Sequence, residues 1–344
     1  MRIYRLGDEG PEIHDIQRRL RELSLPVAEA EPDGYFDAST QAAVQAFQAD
    51  RSLRVDGLVG PDTWGQLVEA GYRLGDRTLY LHSPFFRGDD VRGLQRKLIA
   101  LGFDAGREDG MYGPNTDRAF RDFQRNVGEE PDGIVGLHAI ATLDRMRPQE
   151  GGLGRALVRE QEELRQRQPS IVGAIIAIDP TGGAEATLTY AVAEAVRGHL
   201  AAAGGDPRLV REPGTDPTAS ERARAANTAA AAACVSLHLD SEALDPGEPT
   251  CSYFGNAATH SPAGMLLARS ILDELEREFG HPGRLQRLTI AMLRETRMPA
   301  VQVEPAFASS GSAEDLLEGS ATAERAAAAV ARGVLRFFGT EMAR

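Results

Sequence analysis

The sequence predicts a multidomain chain. Two small all-α units of three helices each come first. An α/β domain follows, with a twisted central sheet flanked by helices. Two observations carry this. An internal repeat fills the first 145 residues, and self-similarity at a fixed period marks a repeated structural unit. From Ile171 onward, short apolar runs alternate with helical patterns, which argues for a layered α/β sheet. The boundaries expected are 1–75 and 76–147 for the two repeats, 148–169 for a linker and 170–340 for the α/β domain.

The repeat is visible residue by residue. DGYFDASTQAAVQAFQADRSLRVDGLVG begins at Asp33 and DGMYGPNTDRAFRDFQRNVGEEPDGIVG at Asp109. Gly34 pairs with Gly110, Phe47 with Phe123, Gln48 with Gln124, Gly57 with Gly133 and Gly60 with Gly136, all at one offset. Upstream, Ile16 to Leu23 (IQRRLREL) matches Leu94 to Leu101 (LQRKLIAL). In the first helix Ile13, Ile16, Leu20 and Leu23 recur at helical spacing. The Asp-Gly pair then suits a tight turn, since glycine accepts positive φ. A second helix buries Val44 and Phe47 in one copy, Phe120 and Phe123 in the other. A second Asp-Gly turn leads to a short third helix. Pro61 stands where a first-turn proline is tolerated, and Trp64 and Leu67 are expected to face inward.

Residues 151–154 read Gly-Gly-Leu-Gly, and the charged run that follows suits a solvated helix. Beyond it, IVGAIIAID is expected as a buried strand and ATLTYAVAEAVRGHLAAAG as an amphipathic helix. PRLVRE reads as a short strand. Thr218 and Glu221 have capping-box spacing ahead of an alanine-rich helix. ACVSLHLD, CSYFG and AVQVEPAF are further strands. A helix through MLLARSILDELEREFG lies between the last two, and ERAAAAVARGVLRFF closes the domain.

Composition narrows the function. Hydrophobic residues make up 42% of the 344 residues, enough for folded cores. The net charge of −13 excludes nucleic acid as the main partner and disfavours anionic membrane surfaces. No apolar run is long enough to span a membrane. The N-terminus lacks an apolar signal region, so a cytoplasmic protein is expected. Cys234 and Cys251 are expected as buried free thiols in a reducing compartment.

Four residues invite a chemical reading. His238 ends a strand, where an imidazole can reach a cleft and bind zinc. Glu304 ends another strand, and a carboxylate there can serve as a general base if it reaches a reacting water. Glu185 precedes a helix and reads equally as a metal ligand or as a carboxylate favoured by the helix dipole. Gly182 follows the first strand and offers no donor.

These contexts resemble known families. The repeats resemble the peptidoglycan-binding domain 1 family, with its leucine-rich first helix, DG turn, AVxxFQ helix and DGxVG turn. That implies a peptidoglycan stem peptide or glycan as ligand. Without the resemblance, the repeats read as a helical bundle for dimerisation or docking. Phe47, Gln48, Phe123 and Gln124 read as packing, and no residue of the repeats is assigned to ligand binding. The remainder resembles the N-acetylmuramoyl-L-alanine amidase family (amidase_3 type), which cuts between glycan and stem peptide. The family reads SLHxN where this chain has Ser236-Leu-His238-Leu-Asp240, and its histidine binds zinc. It reads MPAVLVExGF where this chain has MPAVQVE ending at Glu304, and its glutamate is the general base. Here Pro305-Ala306-Phe307 replaces x-Gly-Phe. A zinc-binding glutamate precedes the pattern xxxxLxxA, which places Glu185, with Tyr190 and Ala193 at the patterned positions. The family strand ends IDPGHGG and its histidine binds zinc. This chain reads Ile178-Asp-Pro-Thr-Gly-Gly, so Gly182 stands in place of that histidine.

A catalytic zinc site keeps about three protein ligands. Glu185 and His238 alone imply weak or absent zinc unless Asp179, Asp240 or His260 substitutes. Taken whole, the chain resembles the actinobacterial CwlM-type subgroup, cytosolic amidase homologues that regulate peptidoglycan precursor synthesis. The chain stops at Arg344, and control through phosphosites on a long C-terminal tail is not expected. The leading expectation is a catalytically impaired regulator or scaffold of cell-wall synthesis, with peptidoglycan fragments or precursors and cell-wall synthesis proteins as partners. One alternative is an active zinc amidase cleaving the lactyl-L-alanine amide, with Glu304 taking the proton. Another is a pure binder of muropeptide or a lipid-linked precursor.

Overall fold

The computed structural model describes residues 2–27, 34–146, 170–182, 186–238, 248–305 and 320–339. The glycine-rich and charged stretch expected as a linker lies outside them, as do Glu185, Asp240 and Ala306-Phe307. The chain divides into two compact units, one holding the first 160 residues and the other most of the rest.

The first unit contains six helices among the described residues: α1 (Pro11–Glu22), α2 (Ala38–Asp50), α3 (Pro61–Glu69), α4 (Asp89–Ala100), α5 (Pro114–Asn126) and α6 (Leu137–Arg145). Pro11, Pro61 and Pro114 each open a helix, where a missing N–H costs nothing. Asp37 caps α2 by accepting the Thr40 amide at 2.7 Å. Ile13, Ile16, Leu20, Val44, Phe47 and Leu67 are buried in the first repeat. Leu94, Leu98, Phe120, Phe123 and Leu143 form the matching core of the second.

Each repeat is tied together at its Asp-Gly turns by buried glutamines. Gly34, Gly57, Gly110 and Gly133 all have φ between 72° and 87°, a region that penalises residues with a Cβ. The amide N–H of each donates to a glutamine Oε1: Gly34 to Gln17 (3.1 Å), Gly57 to Gln48 (2.9 Å), Gly110 to Gln95 (2.8 Å) and Gly133 to Gln124 (2.9 Å). The same side chains return a donor. Nε2 of Gln48, Gln95 and Gln124 reaches Oδ1 of Asp56, Asp109 and Asp132 at 2.7–2.8 Å. All four glutamines are buried, and a buried amide is tolerated because its hydrogen bonds are made. Gln48 and Gln124 are thus structural, and Gln17 and Gln95 repeat the device in the first helix of each copy.

The second unit is a three-layer α/β domain. Its elements are β1 (Ile175–Pro180), α7 (Ala186–Ala202), β2 (Asp206–Leu209), α8 (Ala219–Thr228), β3 (Ala233–Leu237), β4 (Thr250–Phe254), α9 (Pro262–Phe279), β5 (Arg284–Leu288), α10 (Ala291–Glu295), β6 (Ala300–Glu304) and α11 (Ser320–Phe337). The sheet order is β2-β1-β3-β6-β4-β5. β1, β2, β3 and β6 run parallel, while β4 is antiparallel to β6 and parallel to β5. Strand alternation splits the side chains. Ile176, Ile178, Val235, Leu237, Val301 and Val303 pack under α7, α9 and α11. Ala177, Cys234 and Ala300 pack under α8 and α10. Thr218 and Glu221 form the expected capping box on α8.

Three details differ from the sequence expectation. The first strand begins at Ile175, because Gly173 (φ 73°) turns the chain just before it. The second strand ends at Leu209, leaving Arg211 beyond it. The edge strand β5 and the five-residue helix α10 were not expected. β5 is partly exposed and carries Arg284, Gln286 and Arg287, the polar character that protects a sheet edge.

Replacing Gln95 by leucine strands the Gly110 N–H and takes one of its donors from the Asp109 carboxylate. The expected cost is about 2–3 kcal/mol, read as a lower denaturation midpoint for the first unit and faster hydrogen exchange at Gly110.

Candidate functional site

The site is set by register. Pro180 lies opposite Leu237, and Leu237 opposite Val303, on three adjacent parallel strands. One residue further along, Thr181, His238 and Glu304 therefore form a row at the C-terminal edge of the sheet. Two backbone bonds hold the row. The Thr181 N–H donates to Leu237 O (3.0 Å) and the His238 N–H to Val303 O (3.0 Å). Neighbouring strands are about 4.8 Å apart, and loops at this edge are where α/β sheets gather their sites. His238 and Glu304, singled out from the sequence, are brought together. Both are half-buried.

Each has a protein partner. The Thr181 hydroxyl lies 3.2 Å from His238 Nδ1. Gln302 Nε2 donates to Glu304 Oε1 at 3.1 Å. Thr181 stands where the amidase pattern has glycine, and Gln302 where it has leucine.

Gly182 is enclosed by side chains from the segment after β2. A Cβ placed there would lie 2.8 Å from Asp216 Oδ1 and 3.7 Å from Arg211 Nη1. Arg211 is only 6% exposed. Its guanidinium donates to three carbonyls: Nε to Pro180 O (2.8 Å), Nη2 to Thr181 O (3.2 Å) and Nη1 to Thr215 O (3.3 Å). The Thr181 carbonyl also accepts from the Thr189 hydroxyl on α7 at 2.8 Å. The exit from β1 is thus pinned to α7 and to the loop before α8. None of Thr181, Arg211, Asp216 or Gln302 was singled out from the sequence. The departures from the family pattern at 181 and 302 are the only signals that could have flagged them.

Two of the three suggested substitute ligands do not reach this row. Asp179 is fully buried, and both its oxygens are engaged, by Arg222 Nε (2.7 Å) and by the Ser236 hydroxyl (2.7 Å). It is a structural carboxylate. His260 follows β4, which is antiparallel to β6, so that Thr250 faces Glu304 and Phe254 lies at the far end. Gly255 bridges to His260 there. Four strand steps separate the two edges, about 13 Å. The third, Asp240, lies outside the described residues with Glu185. Among the described residues, no three His, Cys, Asp or Glu side chains come together as a metal would require.

The two thiols take no part. Cys234 and Cys251 are buried and unpaired. Burial first, and then the charge of Asp179, pushes the Cys234 thiol well above its ordinary value. Burial first, then Glu304, does the same to Cys251. Both stay protonated and unreactive.

Comparison with known proteins adds the family. Residues 9–67 and 87–143 match the peptidoglycan binding domain profile. Residues 167–336 match the N-acetylmuramoyl-L-alanine amidase profile. The N-acetylmuramoyl-L-alanine amidase CwlM of Mycobacterium tuberculosis is 35% identical over 320 residues, covering 87% of this chain and 78% of that protein. The chain belongs to the N-acetylmuramoyl-L-alanine amidase family. The amidase CwlL of Bacillus licheniformis is 32% identical over 161 residues, and the chain spans 45% of its length. In the solved structures, the amidase-family domain is similar to the N-acetylmuramyl-L-alanine amidase of Mycobacterium smegmatis, at 23% identity and a TM-score of 0.42 over 49% of this chain and 99% of that one. No helix among the described residues is long and apolar enough to cross a membrane.

Substituting Asp179 by alanine leaves Arg222 without its carboxylate. A loss of about 3–5 kcal/mol is expected, with no change in bound metal. Denaturation together with metal analysis of the purified variant checks both parts.

Proposed function

We propose that this chain is a catalytically impaired member of the amidase family that acts as a regulator or scaffold of cell-wall peptidoglycan synthesis. The observation that carries this reading is the filled space at Gly182. Where the family pattern places a zinc-binding histidine, this chain has no side chain, a buried guanidinium 3.7 Å from the Cβ position and a carboxylate oxygen at 2.8 Å. His238 and Glu304 have protein partners, and among the described residues no three His, Cys, Asp or Glu side chains come together. Zinc therefore does not fit the described residues, since a catalytic zinc keeps about three protein ligands.

The division into repeats at 1–75 and 76–147, a linker at 148–169 and an amidase-like domain at 170–340 belongs to this proposal. The two repeat matches fall within those bounds, and the amidase match, over residues 167–336, begins three residues ahead of its bound; both support the division. So do peptidoglycan fragments or precursors as ligands of the repeats, and cell-wall synthesis proteins as partners. A cytoplasmic location belongs to it as well, supported by two buried, unpaired cysteines.

One observation favours a second reading, an active zinc-dependent amidase. His238 and Glu304 remain in adjacent register at one sheet edge. In that reading His238 and Glu185 are metal ligands. Glu304 takes the proton as water attacks the lactyl-L-alanine amide.

The deciding experiment measures zinc in the purified full chain and stem-peptide release from a muropeptide. Substoichiometric zinc and no turnover are expected. Stoichiometric zinc, with turnover abolished in Glu304→Ala, would overturn the proposal in favour of the second reading. Conversely, Gly182→His combined with Asp216→Ala restores a donor and removes the group in its way. Zinc affinity is expected to rise by at least about 10-fold, measured by competition with a chromophoric chelator.

A further inference from the structure

A metal bound by side chains from separate elements is a cross-link as well as a reagent, and its binding free energy contributes to folding. An amidase-like domain without that metal needs something else to fix the exit of β1. We propose that Arg211 and Thr181 supply this cross-link, so that the row of Thr181, His238 and Glu304 is held in place by protein groups alone. The inference rests on the impaired-enzyme reading above and deepens it.

Three observations support it. First, Arg211 joins two segments through three carbonyls, Pro180 and Thr181 on one side and Thr215 on the other. The carbonyls of Pro180 and Thr181 leave the end of a strand, where no further strand partner is available to them, and a carbonyl shielded from water needs a donor. The fork of N–H groups on a guanidinium can serve several acceptors in fixed geometry, which a lysine ammonium cannot match. Second, the carbonyl that Arg211 Nη2 holds belongs to Thr181, the residue whose hydroxyl meets His238 Nδ1 at 3.2 Å. Thr189 secures the same carbonyl from α7 at 2.8 Å. Arg211 thus acts on His238 through Thr181 and is a positioning residue. Third, a hydroxyl can donate to or accept from a ring nitrogen, so the Thr181 contact at 3.2 Å restrains the imidazole of His238 in either tautomer. His238 is therefore held in orientation with no metal to impose it.

The test uses the full chain, its thermal unfolding with added zinc or EDTA, and the ring-nitrogen NMR signals of His238. Expected results are these. The melting of the second unit is unchanged by EDTA or by zinc. Arg211→Gln lowers it by roughly 6–12 °C, and zinc does not restore it. Thr181→Val removes the bond to Nδ1 and shifts the His238 ring-nitrogen signals, while Thr181→Ser keeps the wild-type pattern. An Arg211→Gln chain too unstable to purify leaves the Thr181 pair as the deciding measurement.

Failure separates cleanly. If the wild-type chain is zinc-free, yet Arg211→Gln melts like wild type or Thr181→Val leaves the His238 signals unmoved, the cross-link is overturned and the impaired-enzyme reading stands. If the wild-type chain carries stoichiometric zinc and EDTA lowers its melting temperature, that reading falls and takes the cross-link with it.

Discussion

Where a parallel strand ends, its last carbonyls point along the sheet with no further neighbour to receive them. At the end of β1, with the Thr189 hydroxyl adding a second bond to one of them, this need is met by a buried arginine. Its three bonds decide the path of the chain after Pro180. That path places the Thr181 hydroxyl against His238 and leaves position 182 facing Asp216. Everything distinctive about the cleft follows from where the strand exit is held.

Beneath the cleft the sheet carries an unusual polar line. Asp179, Ser236, Gln302, Ser252 and Gln286 stand opposite one another in register on β1, β3, β6, β4 and β5. They share the face covered by α8 and α10. Ser236 donates to Asp179, Gln286 to Ser252, and Gln302 to Glu304. Buried polar groups in a sheet are stable only when their hydrogen bonds are made. The line also passes directly behind His238 and Glu304, and Gln302 couples it to the latter. The opposite face of β1, β3 and β6 is apolar, and on β4 and β5 its polar groups are the Tyr253 hydroxyl and Arg287, which bond to each other. One side of the sheet thus carries the packing and the other carries the polar positioning.

The sequence showed more of the fold than of the cleft, for physical reasons. Helical spacing of Ile13, Ile16 and Leu20, and the capping pair Thr218 and Glu221, are local signals. They survived intact. β5 was hidden because Arg284, Gln286 and Arg287 suit an exposed edge strand and a loop equally well. The direction of β4 depends on a long-range pairing with β6, which made His260 look nearer to the site than it is. Arg211 was invisible because its partners are main-chain carbonyls, which every residue has. The motif matches located His238 and Glu304. Only the register could show that Thr181 joins them.

The glutamine grip on the Asp-Gly turns has a consequence for chemical ageing. An Asp-Gly bond is the dipeptide most prone to cyclise, by attack of the glycine nitrogen on the aspartate carboxyl carbon. In the turns at Asp56-Gly57, Asp109-Gly110 and Asp132-Gly133, one side chain holds both reacting groups. Oε1 takes the glycine N–H and Nε2 takes the carboxylate oxygen. At Asp132 the same amide, more than any other group, holds the carboxyl below its ordinary value and so in its less reactive charged form. The residues that shape these turns also keep the most fragile bonds in the repeats from closing on themselves.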